Sequence, residues 1–132
     1  MTSYISHTTV DATDAYQLSE WWKQVLGYVD LEGDPNEPGH KECMIRSAGT
    51  GHSLLFIEVP ENKQVKNRLH LDLRPADGLT RDEELDRLRG IGAVEVADLR
   101  EETGRGWVVL ADPEGNEFCI LRSEAEMAAD PT

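Results

Sequence analysis

The sequence predicts an α+β fold made of two tandem βαβββ modules. Three segment pairs recur in order at nearly one offset. Leu26-Gly27-Tyr28-Val29-Asp30-Leu31 resembles Ile91-Gly92-Ala93-Val94-Glu95-Val96, 65 residues on. Gly51-His52-Ser53-Leu54-Leu55-Phe56 parallels Gly115-Asn116-Glu117-Phe118-Cys119-Ile120, 64 residues on. His7 in Ser6-His7-Thr8-Thr9-Val10-Asp11 parallels His70 in Leu69-His70-Leu71-Asp72-Leu73-Arg74, 63 residues on. Each match is weak alone; three in order point to a duplication.

Each half then reads alike. A strand opens it, Tyr4 to Val10 in the first and Leu69 to Arg74 in the second. Leu69, Leu71 and Leu73 alternate with His70, Asp72 and Arg74, the period of a strand with one apolar face. A helix follows. Asp14 with Gln17 resembles a capping box ahead of the stripe Ala15, Leu18, Trp22, Val25 and Leu26, and Gly27 supplies a left-handed stop. Thr80 with Glu83 repeats the signal, with Leu85 and Leu88 as the stripe and Gly90 or Gly92 as the end. Three strands close each half: Tyr28–Leu31, Glu42–Ser47 and Ser53–Val59, then Ala93–Val96, Gly106–Ala111 and Asn116–Arg122. Asp112-Pro113-Glu114-Gly115 is a turn. One domain over residues 1–123 is expected, its modules near 4–59 and 69–122, and 124–132 reads as a frayed tail without a periodic apolar face.

Composition excludes several classes. With 39% hydrophobic residues in 132, the chain can bury a core. A formal net charge of −13 repels phosphate backbones, so no nucleic-acid partner is expected, and neutral or cationic small ligands or a metal ion suit it better. The longest apolar-rich run, Ser53 to Val59, is far short of the roughly 20 residues that span a bilayer, so no membrane partner is expected. The first residues, MTSYISHTTVDATD, lack a basic and an apolar region, so the reading is a cytoplasmic protein with Cys43 and Cys119 reduced. There is no Gly-rich phosphate loop, Cys-x-x-Cys, His-Glu-x-x-His or nucleophile elbow.

The doubled layout, with Trp22–Gly27 (WKQVLG), Asn67–Arg74 (NRLHLDLR) and Trp107–Leu121 (WVVLADPEGNEFCIL), resembles the vicinal oxygen chelate superfamily. Its members include glyoxalase I, extradiol dioxygenases and bleomycin-resistance proteins. The Asn-Arg-x-His strand and the DPEGNEFC hairpin look most like the glyoxalase-like branch common in actinobacteria. The resemblance implies a curled mixed sheet around a ligand cavity, assembled as a homodimer. It also implies a divalent metal (Zn, Ni, Fe or Mn) in the lyases, isomerases and oxygenases that act on substrates with adjacent oxygens. In the metal-free relatives that sequester a small molecule or antibiotic, it implies no metal.

His7 and His70 fall where the superfamily puts its first-strand metal ligands, and Thr9 and Asp72, which share their faces by alternation, are expected with Arg74, Trp107 and Cys119 as substrate contacts. Glyoxalase I carries a glutamate where this chain has Cys119. A cysteine there either binds a soft metal as thiolate or is a small buried residue, the preferred reading. The first-half counterpart is Leu55, which coordinates nothing. Glu58 is the remaining metal candidate, facing away from Leu55 in a regular strand and toward it only across a bulge. This departure argues against glyoxalase I activity, which needs a carboxylate base beside the metal. Arg74 is read either as a grip for a substrate carboxylate or phosphate or as the partner of Asp72. Trp107 is a stacking surface beside the cavity, while Trp21 and Trp22 read as core or interface. His40, His52 and the cluster Lys63, Lys66 and Arg68 read as solvated.

Overall fold

The structure is a computed structural model that describes residues 1–129, in two compact units that divide between Asn62 and Lys63. The first holds β1 (Thr8–Ala12), α1 (Ala15–Leu26), β2 (Val29–Asp30), β3 (Glu42–Arg46) and β4 (Ser53–Glu58). The second holds β5 (Leu71–Leu73), α2 (Arg81–Gly90), β6 (Val94–Asp98), β7 (Val108–Ala111), β8 (Glu117–Ile120) and α3 (Glu124–Ala129). Each unit is thus a βαβββ module, and the second adds a short helix. The sheets repeat one topology, β1-β4-β3-β2 and β5-β8-β7-β6. The opening strand pairs parallel with the last strand of its module, and the other pairs are antiparallel.

Local chemistry sets the elements. The Asp14 carboxylate accepts the Gln17 N–H at 3.0 Å to start α1, and Gly27, at φ 68°, ends it with its N–H on the Lys23 carbonyl. The buried face of α1 comprises Ala15, Leu18, Ser19, Trp21, Trp22 and Val25, and the helix packs on β3 and β4. Trp21 and Trp22 meet edge to face, both buried, as expected for core tryptophans. Against this helix stand Cys43, Ile45, Leu54 and Phe56, all fully buried; each such large side chain contributes on the order of 1.5–3 kcal/mol by leaving water. α2 begins with a reciprocal capping box: the Glu83 N–H donates to Thr80 Oγ1 at 3.1 Å and the Thr80 N–H to Glu83 Oε1 at 2.9 Å. Leu85 and Leu88 of α2 join Val108, Leu110, Phe118 and Ile120 in the second core.

Strand ends shift by a few residues from expectation, and three departures have a clear cause. β1 starts at Thr8 rather than Tyr4, because its ladder with β4 begins at Thr8↔Leu54 and Tyr4 and Ile5 stand exposed before it. β5 keeps only Leu71–Leu73, with Leu69 exposed, because β8 begins at Glu117 and offers no main-chain partner further back. Residues 124–129 are a helix rather than a frayed tail; 130–132 lie outside the described residues. Ser123 and Glu126 make a second reciprocal cap, Glu126 N–H to Ser123 Oγ at 3.0 Å and Ser123 N–H to Glu126 Oε1 at 2.9 Å. The signal Ser-x-x-Glu is in the sequence; the missing apolar stripe hid it.

The hairpin between β6 and β7 is fastened from within. Arg81, buried at the start of α2, donates to the carbonyls of Gly106 (2.9 Å) and Gly104 (2.7 Å). Gly106 has φ +89°, and a β carbon there would run into the Leu99 carbonyl, whereas one at Gly104 meets open space. Gly106→Ala should therefore cost about 1–3 kcal/mol for the strained backbone, and more than Gly104→Ala, where only strain acts. Urea denaturation of both variants measures the difference; equal losses would contradict the close approach.

Candidate metal and ligand site on the second sheet

Strand alternation divides the second sheet into two faces. Val108 and Leu110 stand opposite Ile120 and Phe118, and all four are buried in the core. On the other face Val109 stands opposite Cys119, and Cys119 opposite Asp72, one row across β7, β8 and β5. His70 lies two residues before Asp72, just outside β5. Trp107 and Arg74 continue the alternation one residue beyond β7 and β5. Hydrogen bonds extend the ladders there: Leu99 N–H to the Trp107 carbonyl at 2.9 Å, and Leu121 N–H to the Leu73 carbonyl at 2.8 Å. One sheet face thus gathers His70, Asp72, Arg74, Trp107 and Cys119.

Three of these converge. One donor atom each from His70, Asp72 and Cys119 lie within 4.8 Å of one another, the one such set of three among the described residues. His70 Nδ1 is 3.8 Å from Asp72 Oδ1 and 3.9 Å from Cys119 Sγ. Cys119 is buried at 2% exposure, while the His70 and Asp72 side chains keep 40% and 55% of theirs, so the site is closed at the sulfur and open at the imidazole and carboxylate. Burial first, and the Asp72 carboxylate second, push the Cys119 thiol up to about 11. A tetrahedral ion with ligands at about 2.0–2.3 Å spaces its donors about 3.3–3.8 Å apart, so this nitrogen, oxygen and sulfur set fits with small side-chain adjustments. Asp72, expected only as a substrate contact, is thus also a candidate donor. His-x-Asp in a strand was its signal, since residues two apart share a face.

The other expected residues fall as follows. Arg74 donates from Nη1 to the Arg122 carbonyl at 2.7 Å, which fixes the guanidinium. Trp107 is 42% exposed, unlike the two buried tryptophans. In the first unit, His7 is half-buried just before β1 with its Nδ1 2.9 Å from Ser6 Oγ, and Thr9 is exposed opposite Leu55. Glu58 is the exposed last residue of β4, opposite Ala12. The β4 register is unbroken, so Glu58 alternates onto the side of Leu54 and Phe56, and no bulge turns it toward Leu55. His40 and His52 are exposed, the latter 2.8 Å from the Tyr28 hydroxyl. Lys66 is not simply solvated: its ammonium bonds Glu117 at 2.6 Å. Cys43 and Cys119 are free and buried.

The family profile of the glyoxalase-like domain matches residues 7–121, nearly the whole chain. The chain belongs to this glyoxalase-like family. Solved structures share the fold of the vicinal oxygen chelate superfamily at low identity. A mutant of the fosfomycin resistance protein FosX from Listeria monocytogenes, complexed with Mn(II) and 1S,2S-dihydroxypropylphosphonic acid, superposes with a TM-score of 0.69 at 17% identity, covering 99% of this chain and 98% of that one. A glyoxalase/bleomycin resistance protein/dioxygenase family enzyme from Burkholderia phytofirmans PsJN gives a TM-score of 0.63 at 19% identity over 87% and 94%. A possible glyoxalase from Bacillus cereus gives 0.63 at 14% identity over 91% and 99%. No curated protein matches the sequence. No helix among the described residues is long and apolar enough to cross a membrane.

A thiol held near 11 in the folded protein, above its ordinary 9.0, favours the folded state below about pH 9 and loses that contribution as pH rises through 11. Metal-free protein should therefore lose stability more steeply between pH 9 and 11 than Cys119→Ala does, measured by denaturant midpoints. Parallel curves would show that the thiol is not so held.

Proposed function

We propose that this glyoxalase-like protein is a divalent-metal-dependent lyase, isomerase or oxygenase acting on a small molecule with adjacent oxygens. The observation that carries the reading is the convergence of His70, Asp72 and Cys119 on one sheet face. Three protein donors are the number that catalytic sites use while leaving a position for substrate, and the thiolate and imidazole favour zinc, nickel or iron over magnesium. A bound ion would supply Lewis-acid stabilisation of negative charge on a substrate oxygen. The chain's own residues do the rest. The closed sulfur side keeps water from one flank, and the exposed edge of His70 and Asp72 admits the ligand. The Arg74 N–H groups not used on Arg122 grip a carboxylate or phosphate, and Trp107 offers a ring face to an aromatic or apolar part. The lack of a glutamate at the Cys119 position argues against glyoxalase I itself.

Protein purified without a metal-affinity tag should hold stoichiometric divalent ion by elemental analysis, lost in His70→Ala and Cys119→Ala. Wild type that takes up none of Zn, Ni, Fe or Mn rejects the reading. His7→Ala in the same assay reads the ligand that the superfamily resemblance assigns to the first module. The homodimer expected from that resemblance is tested by sedimentation.

A second reading, a metal-free protein that sequesters a small molecule, is favoured by the proton that burial holds on Cys119. The net charge of −13 suits a cationic compound to it. Such a compound, from an array of cationic antibiotics, should raise the melting midpoint because it binds only the folded state. In either reading a ligand on this face should quench tryptophan fluorescence, and Trp107→Phe should abolish the quenching, since Trp21 and Trp22 are buried. Quenching that survives the substitution places the ligand elsewhere.

A further inference from the structure

Two of the three converging donors are fixed by the sheet. Asp72 and Cys119 are direct partners in the β5–β8 ladder, so their spacing is as rigid as the strand pairing. His70 has no such support. It precedes β5, at the end of a segment, residues 60–70, in which every side chain except that of Asn67 is exposed. A segment that buries so little needs tethers to hold one conformation.

The tethers run through Asn67. Its Oδ1 accepts the backbone N–H of Glu117 at 3.2 Å, and its Nδ2 donates to the carbonyl of Leu69 at 3.2 Å. The carboxamide therefore bridges the first residue of β8 to the peptide group that enters His70. Only one orientation of the amide satisfies both bonds, since the N–H requires an acceptor and the carbonyl a donor. Glu117 is held a second time, by Lys66 at 2.6 Å, with its own side chain only 15% exposed. Cys119 lies two residues further along the same strand and on the same face.

We propose that Asn67, with the Lys66–Glu117 ion pair, is the positioning device for His70, setting its imidazole against Cys119. Asn67 stands in for a main-chain partner where the ladder has ended and carries the strand's alignment back to His70. The consequence for metal binding rests on the proposed function, but the positioning does not.

Two measurements separate them. In metal-free protein, nuclear Overhauser contacts between the His70 ring and the Cys119 β protons report their proximity directly. These contacts should be present in wild type and lost in Asn67→Ala, with the thermal midpoint of the fold nearly unchanged. Lys66→Gln should weaken them and Lys66→Arg restore them. Titration with Co(II), followed by its visible absorption, then reads the site. Asn67→Ala should bind about 10- to 100-fold more weakly, as is usual when a residue that orients a ligand is removed. Contacts that persist in Asn67→Ala overturn the proposal. Wild type that binds no Co(II), while Asn67→Ala still loses the contacts, leaves the positioning intact and defeats only the metal reading.

Discussion

The parallel pairing of β5 with β8 is the constraint on which the site depends. Parallel strands in register place residues of equal phase side by side, so Asp72 meets Cys119 without any contribution from the side chains themselves. The core enforces that register. Leu71 pairs with Phe118 and Leu73 with Ile120, and a slip by one residue would turn Phe118 and Ile120, both fully buried, to the other face. The apolar packing that folds the module therefore sets the polar face opposite it. Chemistry on that face can change residue by residue while the scaffold stays the same.

The first module shows that freedom. β1 and β4 pair in the same sense and phase, with Thr9 opposite Leu55 where the second module has Asp72 opposite Cys119. The histidine survives in both copies, but the carboxylate and the sulfur do not. A hydroxyl and a branched alkyl group leave His7 without a second donor from its own sheet row. The duplication is thus symmetric in backbone and asymmetric in chemistry, and the second module carries the donor cluster.

Much of this was legible in the sequence because it rests on local or periodic signals. The capping pairs at Asp14 and Thr80, the Gly27 stop and the alternating leucines near His70 each act within a few residues. The 63- to 65-residue offset aligned Cys119 with Leu55, and the register of both sheets agrees. Strand ends were less legible. They depend on where the partner strand runs out, a fact stored elsewhere in the chain, as at Tyr4 and Leu69. The link between Lys66 and Glu117 spans 51 residues, and no local pattern marks it. Asn67 lies in the Asn67–Arg74 motif, yet its bond to Glu117 is visible only once β8 lies beside it.

The sulfur decides how such a site must work. With its proton held by burial and by the neighbouring carboxylate, Cys119 is a neutral side chain at neutral pH. An arriving cation must displace that proton, so its apparent affinity would rise with pH, whereas a neutral or cationic organic ligand need not disturb the thiol at all. The same Asp72 carboxylate that discourages thiolate formation is a donor that a cation would gain. Without a cation the carboxylate disfavours the thiolate, whereas beside one both anions would face the same positive charge. A glutamate at position 119 would have required no such exchange, since it is already ionised at neutral pH. Cysteine there would couple any metal uptake to proton release, so the two functional readings differ by a competition between a proton and an ion for one buried sulfur.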